Sequence, residues 1–534
     1  LVAFLSLLIA LPISFWSVAG SSDSSKARFF VAISNLFRGK GIDNGWVTLS
    51  VIDNSLSASG KINFVGTPAQ FKWTENLARR DNFTRRLEAS LTANKKLATL
   101  FGLDNNEIWE GSVPLTLVYE ARRDNKANLS AELDLKNTRF KLPGFEWEKP
   151  PGRPSKARFA ASFDGATIRS VDHFKIEAGA FSTSGKITFA EPLKDSALSI
   201  DTLKLHKFRL GATELAADVR RDRNRRYMIT VKGDRLNAAP FIDRLQEISE
   251  KSQLPPFRLS GTFKKFSTGR GAPTKNVNMK LHYNGNRWEF IDMVGALPGD
   301  GKAIEFRIRP NTQGQVMALY SADAGMFLKA MGITNTIVGG SVEVSAVRKS
   351  GAHTPWIGTA KMKKFRLANA PGIAQLLTIA SLTGLSNLVA GKGLEFRRLS
   401  FPFVFEGQTA NIESAQGVGS EIGITASGKV DFGSKSVDLE GTIVPAYTIN
   451  SLVGTIPIVG TIISGEKGGG IFAASYKVSG PVEKPVMSVN PISALAPGFL
   501  RKLLRAGEGV NEGKTPTEEE TLREKRENKT SPNQ

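Results

Sequence analysis

From Phe29 onward the chain alternates apolar and polar positions with a period of two. Ile62 and Phe64 alternate with Lys61 and Asn63, and Leu133 and Leu135 with Glu132, Asp134 and Lys136. The rhythm continues through Tyr227, Ile229 and Val231 and through Val277, Met279, Leu281 and Tyr283. It recurs in Ile304, Phe306 and Ile308 against Glu305, Arg307 and Arg309, and closes with Val437, Leu439 and Ile443. Successive side chains of a strand point to opposite faces, so the pattern predicts strands dry on one face and wet on the other. It excludes a doubly wound parallel sheet, whose strands read as unbroken apolar runs. The expected class is mainly β, a long coiling antiparallel sheet.

One phrase recurs: Ser59-Gly60-Lys61, Ser184-Gly185-Lys186 and Ser427-Gly428-Lys429, each followed by apolar-polar-Phe, with weaker echoes at Ser260-Gly261 and Ser479-Gly480. Its spacing is irregular, which excludes a fixed-period solenoid and suggests a meander reusing one turn or bulge chemistry. Helical patterns are few: Leu87–Leu103, Ala238–Lys251, Ala322–Met331 and the uncharged Pro371–Val389. Helices this sparse are caps on a sheet.

Gly441 to Gly465 carries no charge and is long enough to cross a bilayer, yet Pro445, Gly454, Pro457 and Gly460 break it. Two short helices over 446–464 fit it better. Residues 1–20 are also uncharged and read as a transmembrane or targeting segment, or as a buried element. The start at Leu1 rather than Met is read as a truncation. Pro143–Pro154 reads as a linker. The expected divisions are 1–20, 29–145, 155–365, 366–505 and a disordered polar tail over 507–534.

Lys and Arg number 71 against 50 Asp and Glu, a formal charge of +21, which calls for a polyanionic neighbour. The arginines cluster at Arg79, Arg80, Arg85 and Arg86 and again at Arg220, Arg221, Arg223, Arg225 and Arg226, the second set at an expected hairpin tip. Phe499, Leu500, Arg501, Lys502, Leu503, Leu504 and Arg505 set the same charge beside an apolar face, which favours a membrane surface over nucleic acid. There is no cysteine, and each of His173, His206, His282 and His353 stands alone, without metal-ligand spacing. No nucleophile elbow, phosphate loop or dinucleotide fingerprint occurs. The expectation is no enzyme, no metal and no cofactor.

A dry sheet face is buried either against a second sheet or as a trough holding something apolar, and the alternation does not separate the two. Two long stretches carry a resemblance that bears on this. TINSLVGTIPIVGTIISGEKGGGIFAASYKVSGPVEKPVMSVNPISALAPGFLRKLL resembles the ending of the AsmA-like proteins, especially the YhdP branch. ANAPGIAQLLTIASLTGLSNLVAGKGLEFRRLSFPF, ADAGMFLKAMGITNTIVGGSVEV and KLPGFEWEKPPGRPSKARF are similar to upstream blocks of that family. The resemblance implies a taco-like apolar β-groove with short capping helices, anchored in the inner membrane of a Gram-negative bacterium and lying mostly in the periplasm. It implies phospholipid as partner, conducted between inner and outer membrane, and hence a part in outer-membrane integrity. On that reading Ile304, Phe306, Ile308, Val437, Leu439 and Ile443 are groove candidates. Phe499, Leu500, Arg501, Lys502 and Arg505 are membrane-contact candidates. The rival expectation is an assembly factor that receives strands of outer-membrane proteins at its sheet edge.

Overall fold

The computed structural model describes residues 26–30, 33–37, 40–52, 55–76, 83–100, 108–142, 145–165, 167–190, 200–224, 226–241, 254–269, 271–299, 301–351, 354–368, 393–420, 422–445, 474–482 and 484–490. The chain forms two compact units, Leu1–Gly301 and Lys302–Gln534.

In the first unit β1 (Lys26–Phe30) and β2 (Ile33–Phe37) both pair with β3 (Lys40–Ile52). β4 (Ser55–Phe64), β5 (Thr67–Asn76) and β6 (Arg85–Ala93) follow as hairpins. After α1 (Lys95–Leu100) and β7 (Trp109–Glu110) come β8 (Val113–Ala121) and β9 (Lys126–Asp134), β8 pairing with β6. β10 (Arg139–Leu142) and β11 (Trp147–Lys149) join β7 in a separate three-stranded sheet. β12 (Ser155–Asp164) then pairs directly with β9. The meander continues through β13 (Thr167–Ala178), β14 (Phe181–Phe189), β15 (Ile200–Leu210), β16 (Thr213–Arg221) and β17 (Tyr227–Asn237). β18 (Phe257–Ser267) pairs parallel to β17, and β19 (Thr274–Tyr283) and β20 (Trp288–Ala296) return to antiparallel order.

The second unit strings β21 (Ala303–Asn311) and β22 (Gly314–Ser321), then α2 (Ala324–Ala330), before β23 (Ile337–Lys349) and β24 (Trp356–Leu367). β25 (Leu394–Glu406), β26 (Thr409–Gly419), β27 (Ile422–Asp431), β28 (Ser436–Pro445), β29 (Ala474–Pro481) and β30 (Val486–Asn490) complete an antiparallel ladder. The expected class holds: mainly β, almost wholly antiparallel, not closed into a barrel, with short helices.

Local chemistry explains the turns. Val65 and Gly66 both take positive φ, the type I′ geometry that matches strand twist between β4 and β5. α2 starts at Asp323, whose Oδ1 accepts from the Met326 N–H at 2.9 Å while Oδ2 takes the Lys302 ammonium at 3.2 Å.

Two expectations are corrected. Of the helix expected over Leu87–Leu103, the described residues are helical only at Lys95–Leu100, because Leu87, Ala89 and Leu91 are equally a period-two set and pair with β5 and β8. On either side of the expected linker over 143–154, β9 and β12 pair with each other. The Ser-Gly-Lys phrases lie mid-strand and not at turns. A Cβ at Gly60, Gly185 or Gly428 would collide with the carbonyl oxygen of Trp46, Lys204 or Asp438 on the neighbouring strand. The glycine permits close strand approach, and the bulge expected of it is present at Gly185. The helix expected over Ala322–Met331 is α2. That over Ala238–Lys251 is described only to Phe241, where it is helical. The helices over 371–389 and 446–464, residues 1–20, 499–505 and the tail lie outside the described residues.

Candidate functional site

Directly opposed residues in a ladder point to the same face of the sheet. Following the pairings across the first unit gives one row of Val47, Gly60, Phe71, Ala89, Leu117, Ala131, Phe159, Phe174, Gly185, Leu205, Ala217, Val231, Gly261, Met279 and Met293. The next row on that face is Leu49, Ala58, Trp73, Leu87, Tyr119, Leu129, Ala161, Val171, Ile187, Leu203, Val219, Ile229, Leu259, Leu281 and Ile291. Neither row contains a charged residue from β3 to β20. The opposite face carries a row of Ser57, Thr74, Arg86, Glu120, Asn128, Ser162, Ser170, Thr188, Thr202 and Arg220.

The second unit repeats the arrangement. Ile308, Met317, Ala346, Gly358, Phe403, Ile412, Gly428, Leu439, Val478 and Met487 form one row, wholly apolar. Ile304, Ser321, Val342, Met362, Leu399, Gly417, Ile424, Ile443 and Ala474 form another, whose one polar member, Ser321, is buried with its hydroxyl donated to the Asp323 carbonyl at 3.1 Å. Phe306 opposes Leu319, and Val437 opposes Val430, on the same face. All six groove candidates thus share one face of this unit. The membrane-contact candidates at 499–505 are not among the described residues.

These faces pack sideways. The cluster around Trp73 and Phe71 draws its members from β3 to β12, the cluster around Phe263 from β16 to β20, and that around Phe403 from β22 to β25. Each joins laterally neighbouring strands, whereas a sealed sandwich would bring together strands distant in the ladder. Leu117, Leu129, Leu203, Val219 and Ile229 stay only half-buried. The small sheet is the exception: its Phe145 lies 5.0 Å from Phe208 and its Trp147 5.4 Å from Phe181, between ring centroids. Two open cavities flank the apolar face of the first unit. One of about 710 Å³ is lined by Ile62, Ala69, Leu91, Leu115 and Leu133, the other of about 680 Å³ by Leu215, Phe263 and Val277, both among polar and charged neighbours.

Register shifts align between β12 and β17, leaving Asp172 on β13 and His206 on β15 without a partner, while His173 pairs with Ala160 and Lys207 with Ser184. Such bulges raise the local twist and bend the sheet. The dryness of the faces is registered by their phenols: burial pushes Tyr476 up to about 12 and raises Tyr119 as well.

Charge appears on the apolar face at its ends. Arg85 and Glu75 pair there at 3.4 Å, and Arg348 lies 4.6 Å over the Trp356 ring while donating to Gln315. Arg221 lies 5.9 Å over Tyr227, at the head of an aromatic strip of Tyr227, Phe257, Tyr283 and Trp288. The expected hairpin tip over Arg220–Arg226 is present between β16 and β17. Its Arg220 and Arg226 are tied to Asp218 (3.2 Å) and Asp222 (2.9 Å). Of the first arginine cluster, Arg86 is neutralised by Glu88 and Glu120, both at 2.8 Å, and Arg79 and Arg80 lie outside the described residues. His282 stacks on Phe290 at 4.8 Å, and burial with the nearby Arg258 holds its imidazole below the usual range.

The reading of the sequence placed its groove candidates only in the second unit. It passed over Trp73, Phe71, Leu117 and Phe263, although the alternation through Ile229 and Val231 already belonged to the same face. No cluster of three or more His, Asp or Glu able to share a metal occurs among the described residues. No helix among them is long and apolar enough to cross a membrane.

No family model matches the chain, and no solved structure matches it. Two curated proteins are similar over short stretches, both the "Cytochrome c biogenesis protein CcsA" of Prochlorococcus marinus. The strain NATL2A protein is 89% identical over 35 residues and the strain NATL1A protein 86% identical over 37. The matches cover 7% of this chain and 11% and 12% of those relatives, so the chain spans about a tenth of their length, which is too little to assign it to their family.

Proposed function

We propose that this chain is a non-enzymatic, AsmA-like carrier that holds phospholipid acyl chains along its apolar sheet face and so conducts lipid between the inner and outer membranes. The observation supporting this reading most is the pair of uncharged rows running unbroken from β3 to β20, opposite a polar row. An acyl chain of about 15 methylenes meets a barrier on the order of 12 kcal/mol in water, at ~0.8 per CH₂, and a continuous dry face removes most of it. The head group stays wet at the open side, and no covalent step is needed. Anchorage in the inner membrane, a periplasmic location and support of outer-membrane integrity belong to the same proposal.

Native mass spectrometry of detergent-free protein tests it: several phospholipids per chain are expected. Phe306→Asp should lower that number, while Arg307→Asp, on the polar face, should leave it unchanged. Equal lipid content in both variants, or a clean apo mass in the parent, would sink the proposal. The second reading, an assembly factor taking up client strands, has one supporting feature. β30 pairs only with β29 among the described strands and exposes Val486 at 67%. Crosslinks from β30 to nascent outer-membrane proteins would favour it.

A further inference from the structure

Arg221 stands at the end of the apolar face of the first unit without an ion pair among the described residues. It follows Val219 on β16, opposes Tyr227, and its buried Nε has no hydrogen-bond partner. A buried guanidinium nitrogen without a partner is costly, so the arrangement is one that a ligand oxygen completes. Its Cζ lies 5.9 Å from the Tyr227 ring centroid, and a guanidinium is the group that meets phosphate oxygens in a fork. Tyr227, Phe257 and Trp288 continue the margin as an aromatic strip, with Phe257 5.7 Å from Trp288, of the kind that sits where acyl chains give way to head groups. Arg223, in the turn that follows β16, is exposed at the same end and has no ion pair among the described residues.

The geometry points to a phosphate-binding margin at this end of β16–β20, where Arg221, with Arg223, holds the head group of an anionic phospholipid whose chains lie on the apolar rows. This rests on the carrier reading above and adds a site and a selectivity to it. Arg348 is a weaker counterpart in the other unit, because Gln315 already occupies its guanidinium.

The test loads the full chain from vesicles of phosphatidylglycerol or of phosphatidylcholine and counts bound lipid by native mass spectrometry. The parent should prefer the anionic lipid, and each of Arg221→Ala and Arg223→Ala should reduce that preference roughly fivefold, leaving phosphatidylcholine uptake unchanged. Arg221→Lys, which keeps the charge and loses the fork, guards against a folding defect and should fall between parent and Arg221→Ala. Lys204→Ala, on the polar face, should behave as the parent. Equal uptake of both lipids by parent and variants overturns the margin while leaving the carrier reading standing; no uptake of either overturns both. Inorganic phosphate raising the melting temperature as much as the lipid does would assign the arginines to free phosphate and overturn the lipid site.

Discussion

Ile308 on β21 and Leu439 on β28 stand in one uninterrupted apolar row, joined through Met317, Ala346, Gly358, Phe403, Ile412 and Gly428. Seven strand spacings at about 4.8 Å separate them by roughly 34 Å along the sheet. Each therefore packs only with its own lateral neighbours. Ile308→Ala and Leu439→Ala should each destabilise, Ile308 by about 2–4 kcal/mol and the more exposed Leu439 by less. Their effects should add within about 0.5 kcal/mol in urea denaturation, as for independent sites. A large coupling energy would mean that the two ends of the row meet, as they would in a closed layer.

Two glycines separate close approach from turn geometry. Gly60→Ala should destabilise by about 1–3 kcal/mol, because the methyl meets the Trp46 carbonyl of the next strand, which cannot withdraw without breaking the ladder. Gly66→Ala meets nothing and bears only the left-handed backbone cost, about 1 kcal/mol. Thermal melting of both variants checks the order; a Gly66→Ala that is the worse of the two would refute it.

The strands and the wet and dry sides were legible because one residue in two faces the same way, as Tyr227, Ile229 and Val231 do. What was illegible has a common cause: one residue type serves two geometries. Glycine at 60, 185 and 428 suits a tight turn as well as a close strand approach, and only the partner strand decides. Leu87 and Leu91 fit a helical turn, yet with Ala89 they also fit a strand, and pairing to β5 and β8 settled it. The parallel step from β17 to β18 and the small sheet over Phe181 and Phe208 depend on chain crossings that no local pattern records. The margin at Arg221 escaped because its arginine looks, in sequence, like any other member of a charged tip.

His282 makes stability fall with acid. Its imidazole is held below its ordinary value of 6.5 by burial and by Arg258 and Arg226, against a smaller opposing effect of Glu289. Below pH 6.5 the unfolded chain therefore takes up a proton that the folded chain refuses. Stability is whole above that pH and drops as pH falls toward the folded value. His282→Gln should flatten the difference in denaturation midpoint between pH 7 and pH 5 relative to the parent. An unchanged slope would show that His282 does not set it.

Tyr476 acts at the opposite end of the scale. Its hydroxyl donates to the Thr425 carbonyl at 2.8 Å, and burial pushes its pKa up to about 12 from 10.0. Between those values the unfolded chain has lost the phenolic proton while the folded chain keeps it. The contribution is complete below pH 10 and is lost as pH rises toward 12, on the order of 2–3 kcal/mol in all. Tyr476→Phe removes the titration and one hydrogen bond, so at pH 8 it should cost about 1 kcal/mol. By pH 11 that deficit should shrink or reverse, because the variant has no buried phenol to ionise. Paired urea titrations at the two pH values measure it; a deficit that stayed the same from pH 8 to pH 11 would mean that the phenol titrates alike in the folded and unfolded chain and that its ring is wet.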